Sequence, residues 1–362
     1  MGDASKANKT TEEAIIHASP EKLRHFASEV LRKEKVEREE ANFVAKVLVE
    51  ADLRGVDSHG VTRLSGYITM IKSGLINPRP NVRIVEEESA TSIIDGDSGF
   101  GMLGAKLGME TAIEKARDFG ISMATARNLT HTGMIGFYTM MAADHGMIGL
   151  AMNNGAAIVP PFGGVTPTFG TNPFSVAFPG SKNHVVLDMA TTMVAAGKLR
   201  LAAKKGDPIP LSWGFDRHGN PSSDPGEVLQ NGLLQWAGGY KGFGLATMIE
   251  VLGGILSGGL FGRNVPPLKE FGKDPIIANG AYIAIDVQRF IPLPYFVERL
   301  EELTSQIQTS VLAPGTKRIL VAGQPEFELK EDRSRNGIPI VSEVHKELLQ
   351  LSEDYSIKFD LN

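Results

Sequence analysis

Nothing constrains this chain more than the stretch from Gly155 to Gly180. There Pro160, Pro161, Gly163, Gly164, Pro167, Gly170, Pro173, Pro179 and Gly180 interrupt an otherwise regular alternation of helix and strand signals. Proline fixes φ and removes a backbone donor, so neither a long helix nor an interior strand runs through it. Only a short strand at 174–178 fits, and a loop of this length inside a compact chain usually carries function.

On either side the periodicities are clear. Ser19 and Pro20 read as an N-cap and a first-turn proline opening an amphipathic helix through Leu23, Phe26, Val30 and Leu31. Further helices are expected at 38–54 and 58–72. Strands follow at 82–85, 91–94, 121–126, 148–152 and 185–188, with helices at 103–119, 134–145 and 194–204. The apolar run 242–262 is about as long as a membrane span, but as one glycine-rich segment in a mixed chain it reads as a buried helix. A strand at 281–287 and helices at 294–309 and 343–351 complete an α/β pattern of two or three domains.

A net charge of −5 leaves no basic footprint for nucleic acid or an anionic membrane, so neither is an expected partner. The absence of cysteine excludes disulfides, thiolate metal sites and a cysteine nucleophile, and fits a reducing compartment. Residues 1–11 are polar and lack a signal-peptide core, and Lys6 breaks the myristoylation pattern at Gly2, so the expected location is cytoplasmic. No HxxxH, HExxH or EF-hand pattern occurs, and no metal is expected.

Two glycine signals compete for a nucleotide. Gly99-Phe100-Gly101-Met102-Leu103-Gly104 matches GxGxxG between a strand and a helix, with Arg127 placed to meet an extra phosphate. Its competing explanation is a glycine turn that lets a helix pack on a strand. The second signal is the pair of turns Phe169-Gly170-Thr171-Asn172-Pro173 and Gly239-Tyr240-Lys241-Gly242-Phe243-Gly244. Exposed N–H groups, a lysine and a helix start suit a pyrophosphate there.

The segment 52–65 places His59 and Arg63 four residues apart at the start of an expected helix, hence on one face. An imidazole moves protons near neutral pH, and a guanidinium is the natural bidentate partner of a carboxylate. A local hydrogen bond for His59, an N-cap role for Ser58 and a surface charge for Arg63 explain the same residues without chemistry. His131 lies in a Thr-His-Thr-Gly turn between strand and helix, where α/β enzymes often place catalytic groups. Asp188 closes a strand and can orient a histidine, meet a cofactor or cap a turn.

Val56-Asp57-Ser58-His59-Gly60 with Arg63, Thr130-His131-Thr132-Gly133, Pro161-Phe162-Gly163-Gly164, Gly170-Thr171-Asn172-Pro173, Leu187-Asp188-Met189-Ala190-Thr191 and Lys241-Gly242-Phe243-Gly244, in this order, resemble the type-2 malate/L-lactate dehydrogenase family. That family includes malate, sulfolactate and ureidoglycolate dehydrogenases and a diketogulonate reductase. The resemblance covers about residues 20–345. It implies an α/β, non-Rossmann NAD(P)-binding fold with a helical domain built from both ends of the chain. It further implies a homodimer and hydride transfer between a 2-hydroxy acid, malate first, and its 2-oxo acid. Domains are then expected at 1–78 with 315–362, at 79–147 with 280–314, and at 148–279 for the cofactor. By the same resemblance His59, His131, Ser58 and Arg63 are catalytic, with either histidine as the acid/base. NAD or NADP contacts fall on Gly155, Phe169, Gly170, Thr171, Asn172, Pro173, Pro179, Gly180, Asp188, Tyr240, Lys241, Gly323 and Glu326.

Overall fold

The computed structural model describes residues 16–361 except 232 and 269, so most of the extension ahead of Ser19 lies outside the described residues. In chain order β1 (Ile16–Ala18) leads into α1 (Pro20–Lys33), α2 (Arg38–Leu53) and α3 (Leu64–Lys72). Ser19 does cap α1, its hydroxyl accepting from the Lys22 N–H at 3.5 Å. The buried faces of α1 and α2, including Leu23, Phe26, Val30, Val44 and Leu48, share one core with the sheet.

Next come β2 (Arg83–Glu87), β3 (Thr91–Asp95), α4 (Gly101–Phe119), β4 (Ile121–Leu129), α5 (Gly136–Asp144), β5 (Met147–Asn153), β6 (Phe174–Phe178) and β7 (Val185–Met189). They are followed by α6 (Ala196–Lys205), α7 (Pro225–Asn231), α8 (Tyr240–Ile249), β8 (Ala278–Asp286), α9 (Leu293–Gln308), α10 (Gln324–Asn336), β9 (Ile338–Ile340) and α11 (Ser342–Tyr355). Seven strands form one sheet in the order β2-β3-β4-β8-β5-β6-β7. Only β3 and β4 run parallel, and the other pairs are antiparallel. A Rossmann sheet is mostly parallel, so this architecture is α/β but not Rossmann.

Strand alternation sorts the two faces. Ala124, Ala126, Tyr282 and Ala284 face the large core that contains α4 and α5, whereas Met123, Ala281 and Ile283 pack with Ile249 and Leu252 on the other side. A satellite core around Val159, Leu199, Val228 and Trp236 holds the proline-rich loop together.

Several expectations need correction. The helix expected from Ser58 is two 3-10 turns, Asp57–His59 and Val61–Arg63, with α3 beginning only at Leu64. Gly60 between them is extended, so Ser58 is no N-cap and the one-face spacing of His59 and Arg63 does not hold. The helix expected to be buried at 242–262 is α8 continued by a π-helix, Glu250–Ile255, and Leu245, Met248, Val251, Ile255 and Leu256 are exposed. Helices α7 and α10 and the two-stranded β1/β9 sheet carry little sequence signal, because α10 is highly charged and α7 and the three-residue strands are too short to show an apolar period. Among the described residues no helix is long and apolar enough to cross a membrane.

The GxGxxG segment is a packing device. A methyl group on Gly99, Gly101 or Gly104 would lie 2.4, 2.3 or 2.4 Å from Pro80, the Thr130 carbonyl and Leu129 respectively. Arg127, expected to meet a phosphate there, instead sits 4.0 Å from Asp95.

Candidate active site

Helix α2 ends beside Asp52, whose buried carboxylate organises the two 3-10 turns. It accepts the Val61 N–H at 2.9 Å, and a methyl group on Gly60 would fall 1.7 Å from its other oxygen. Burial pushes the Asp52 carboxyl up, against the pull of the Val61 N–H. From the unforeseen α10, Arg333 donates to the Asp52 carbonyl and pairs with Asp57. This frame, and not helical periodicity, sets the next residues.

His59 and His131 stack with ring centroids 5.3 Å apart and 25° between planes. Ser58 Oγ lies 2.9 Å from His59 Nδ1, and the Tyr67 hydroxyl 2.6 Å from His131 Nδ1. Arg63 Nε donates to the Ser58 carbonyl at 2.6 Å, and its guanidinium covers the Phe271 ring at 4.3 Å. Phe271 in turn meets Tyr67 and His131 edge-on at 5.5 and 5.7 Å. It can lie this close to α3 because a side chain on Gly66 would sit 2.5 Å from the ring. Burial, then the Arg63 charge, lowers His59 to a pKa of about 4, so its imidazole is neutral at physiological pH. The cluster joins two proton-carrying rings to a cation suited to a carboxylate.

A second cluster contains the expected cofactor turn. Gly155 has open space where a side chain would be, and a methyl group on Gly170 would sit 3.1 Å from the Gly155 backbone. Thr191 Oγ1 donates to the Thr171 and Asn172 carbonyls at 2.9 and 3.1 Å. Gly238 and Gly239, both at positive φ, lead into α8, where Tyr240 and Lys241 are exposed. Open glycine backbone, a helix start and a lysine fit an anionic dinucleotide. Three expected contacts turn inward. The Phe169 ring packs on Trp236 and Phe243, Asn172 is fully buried, and Pro179 is buried too.

Asn172 belongs to a buried polar network that sequence reading missed. Glu250 Oε2 accepts Asn172 Nδ2 at 2.7 Å, while Oε1 accepts Asn154 Nδ2 at 2.9 Å and the Gly262 N–H at 2.8 Å. Among the described residues no cation pairs with this carboxylate.

Edge strand β7 connects the clusters. The Asp188 carboxylate accepts the Gly136 N–H at 2.8 Å, at the start of the helix that follows the His131 turn. Burial pushes Asp188 up to about 6, with the Gly136 N–H opposing, Glu326 adding and Arg54 opposing. Asp188 as a residue stays exposed at the sheet edge. Gly180 lies beyond the far end of β6 from the Asn172 turn, and the five residues of that strand alone span about 17 Å at strand rise. A cavity of about 400 Å³ there is lined by Gly180, Ser181, Val185, Ala322 and Gln324. Gly323 is at positive φ, and a methyl group on it would lie 3.0 Å from the Val186 backbone. The expected contacts thus fall at two ends of one edge strand. Near the histidines, a methyl group on Gly197 at the start of α6 would lie 3.1 Å from Ser58 Cβ.

The sequence profile of the malate/L-lactate dehydrogenase family matches residues 18–349. This chain belongs to that family. It is 38% identical over 354 residues to a protein named malate dehydrogenase from Pyrococcus horikoshii, covering 96% of this chain and 98% of that one. It is 36% identical to an L-sulfolactate dehydrogenase from Methanocaldococcus jannaschii, covering 94% and 98%. A crystal structure of malate dehydrogenase from Entamoeba histolytica superimposes with a TM-score of 0.92 at 31% identity, covering 96% and 99%. Membership makes the chain a 2-hydroxy acid dehydrogenase by class, and the family implies a nicotinamide cofactor.

Proposed function

We propose that this dehydrogenase interconverts malate and oxaloacetate with NAD or NADP. The observation that supports the reading most is the stack of His59 on His131 beside Arg63. The relatives named for malate and sulfolactate point the same way, since both substrates are 2-hydroxy acids with a second anionic group. In oxidation the C2 hydroxyl proton passes to an imidazole as the C2–H bond is lost, and Arg63 holds a substrate carboxylate so that this oxygen faces the rings. When bound, the nicotinamide ring accepts the C2 hydride. Gly155, the backbone of the Phe169 to Pro173 turn, Tyr240 and Lys241 would hold one end of the dinucleotide. Asp188, Gly180, Gly323 and Glu326 would hold the rest of it, whereas the buried Pro179 would shape the turn before Gly180 without touching it.

We assign the protein to the cytoplasm as a homodimer, with the exposed apolar strip of α8 and its π-helical continuation as the contact between copies. The test is a panel of malate, lactate, sulfolactate and ureidoglycolate with each cofactor, followed by nicotinamide absorbance. Malate should show the highest kcat/KM. A higher value for another hydroxy acid reassigns the substrate, and saturable cofactor binding without turnover on any of them replaces catalysis with a nucleotide-binding role.

A further inference from the structure

The two stacked histidines differ in what holds their Nδ1 atoms. His59 faces a serine hydroxyl that is partly open to solvent, and such a rotor can donate or accept as the ring changes protonation. His131 faces Tyr67, which is fully buried on α3 and whose hydroxyl has His131 Nδ1 as its one hydrogen-bond partner among the described residues.

Burial raises the Tyr67 pKa against the pull of Arg63, so the phenol keeps its proton at any physiological pH. That proton needs an acceptor, and the acceptor in reach is the Nδ1 lone pair at 2.6 Å. Were Nδ1 protonated, the buried hydroxyl hydrogen would have nowhere to go, which disfavours that form by roughly five- to hundredfold. The same orphan would arise in an imidazolium at His131. No such conflict arises at His59.

We propose that Tyr67 is a positioning residue that donates to His131 Nδ1 and thereby holds His131 as its Nε2–H tautomer, a hydrogen-bond donor to the reacting substrate oxygen, with proton transfer falling to His59. The proposal rests on the dehydrogenase reading above and assigns the work within it. In oxidation the hydroxyl proton goes to His59 Nε2, the C2 hydride goes to bound NAD or NADP as the oxidant, and the new carbonyl oxygen accepts from His131 Nε2–H. Reduction reverses each transfer, with the proton returning from His59.

The experiment is long-range 1H–15N spectroscopy of the full-length protein labelled at histidine, at a pH of about 8 where free imidazole is neutral. The His131 signals are assigned by their loss in His131→Gln. In the unsubstituted protein His131 should show a pyridine-like Nδ1 and a pyrrole-like Nε2. In Tyr67→Phe, which keeps the ring and its packing, the two shifts should move toward tautomer averaging. The kcat for oxaloacetate should then fall roughly five- to tenfold, with KM changed by no more than about twofold. A pyrrole-like Nδ1 in the unsubstituted protein overturns the proposal, as does a Tyr67→Phe enzyme with unchanged shifts and kcat. The spectra need no turnover, so a wrong tautomer refutes the role of Tyr67 alone, whereas absence of turnover on the whole panel refutes the dehydrogenase reading.

Discussion

His59 shows how one residue couples the site to stability. Its folded pKa of about 4 lies below the unfolded value near 6.5, so the unfolded chain binds the proton more readily between those limits. The neutral ring therefore destabilises the native state progressively as pH falls from about 6.5 to 4, and the loss levels off below that. Urea midpoints measured across this range should fall with pH, and His59→Gln should flatten that part of the slope. A slope unchanged by the substitution contradicts the lowered pKa. At Arg63 the expected effect is on substrate: Arg63→Ala removes a charged donor, so KM for oxaloacetate should rise roughly ten- to hundredfold while cofactor affinity stays close to the parent. Steady-state kinetics with each substrate varied in turn checks this split.

At the scale of elements, the change from α8 to a π-helix at Glu250 is the most consequential local irregularity. It brings a buried carboxylate under the proposed cofactor turn, where three donors converge on it. Glu250→Ala would leave these donors without an acceptor and should lower stability by about 3 kcal/mol or more. It should also weaken cofactor binding through Asn172. Denaturant unfolding and cofactor titration measure the two effects, and a stable variant with unchanged affinity would detach the network from the turn. The pair of 3-10 turns makes a related demand. Gly60→Ala sets a methyl group against Asp52, so it should displace His59 and Arg63 together and lower kcat/KM by at least about tenfold.

For the whole molecule, the proposed homodimer places Leu245, Met248, Val251, Ile255 and Leu256 between copies. Val251→Arg should then shift the molecular mass seen by light scattering toward the monomer. An unchanged mass would move the contact to another face. Much of the architecture was legible in the sequence. The strand at 174–178, the Ser19-capped helix and most of the α/β order follow from periodicity, capping residues and glycine or proline stops, which act over a few residues. His59, His131 and Arg63 could be singled out because their chemistry is carried by residue type and by motifs in order.

What the sequence could not settle depends on contacts between distant segments. His59 and His131 stack across 72 positions because Asp52, Gly60 and Arg333 shape one turn while Asp188 holds the start of α5 after the other. Tyr67, Phe271 and Glu250 look like ordinary helix or loop residues in one dimension. Their burial and their partners exist only once the chain is folded. The sequence by itself determined which residues have the chemistry and which stretches must turn. Tertiary structure decided which nitrogen faces which hydroxyl and which glycines pack instead of binding, since hydrogen bonding and close approach are set by distance in space.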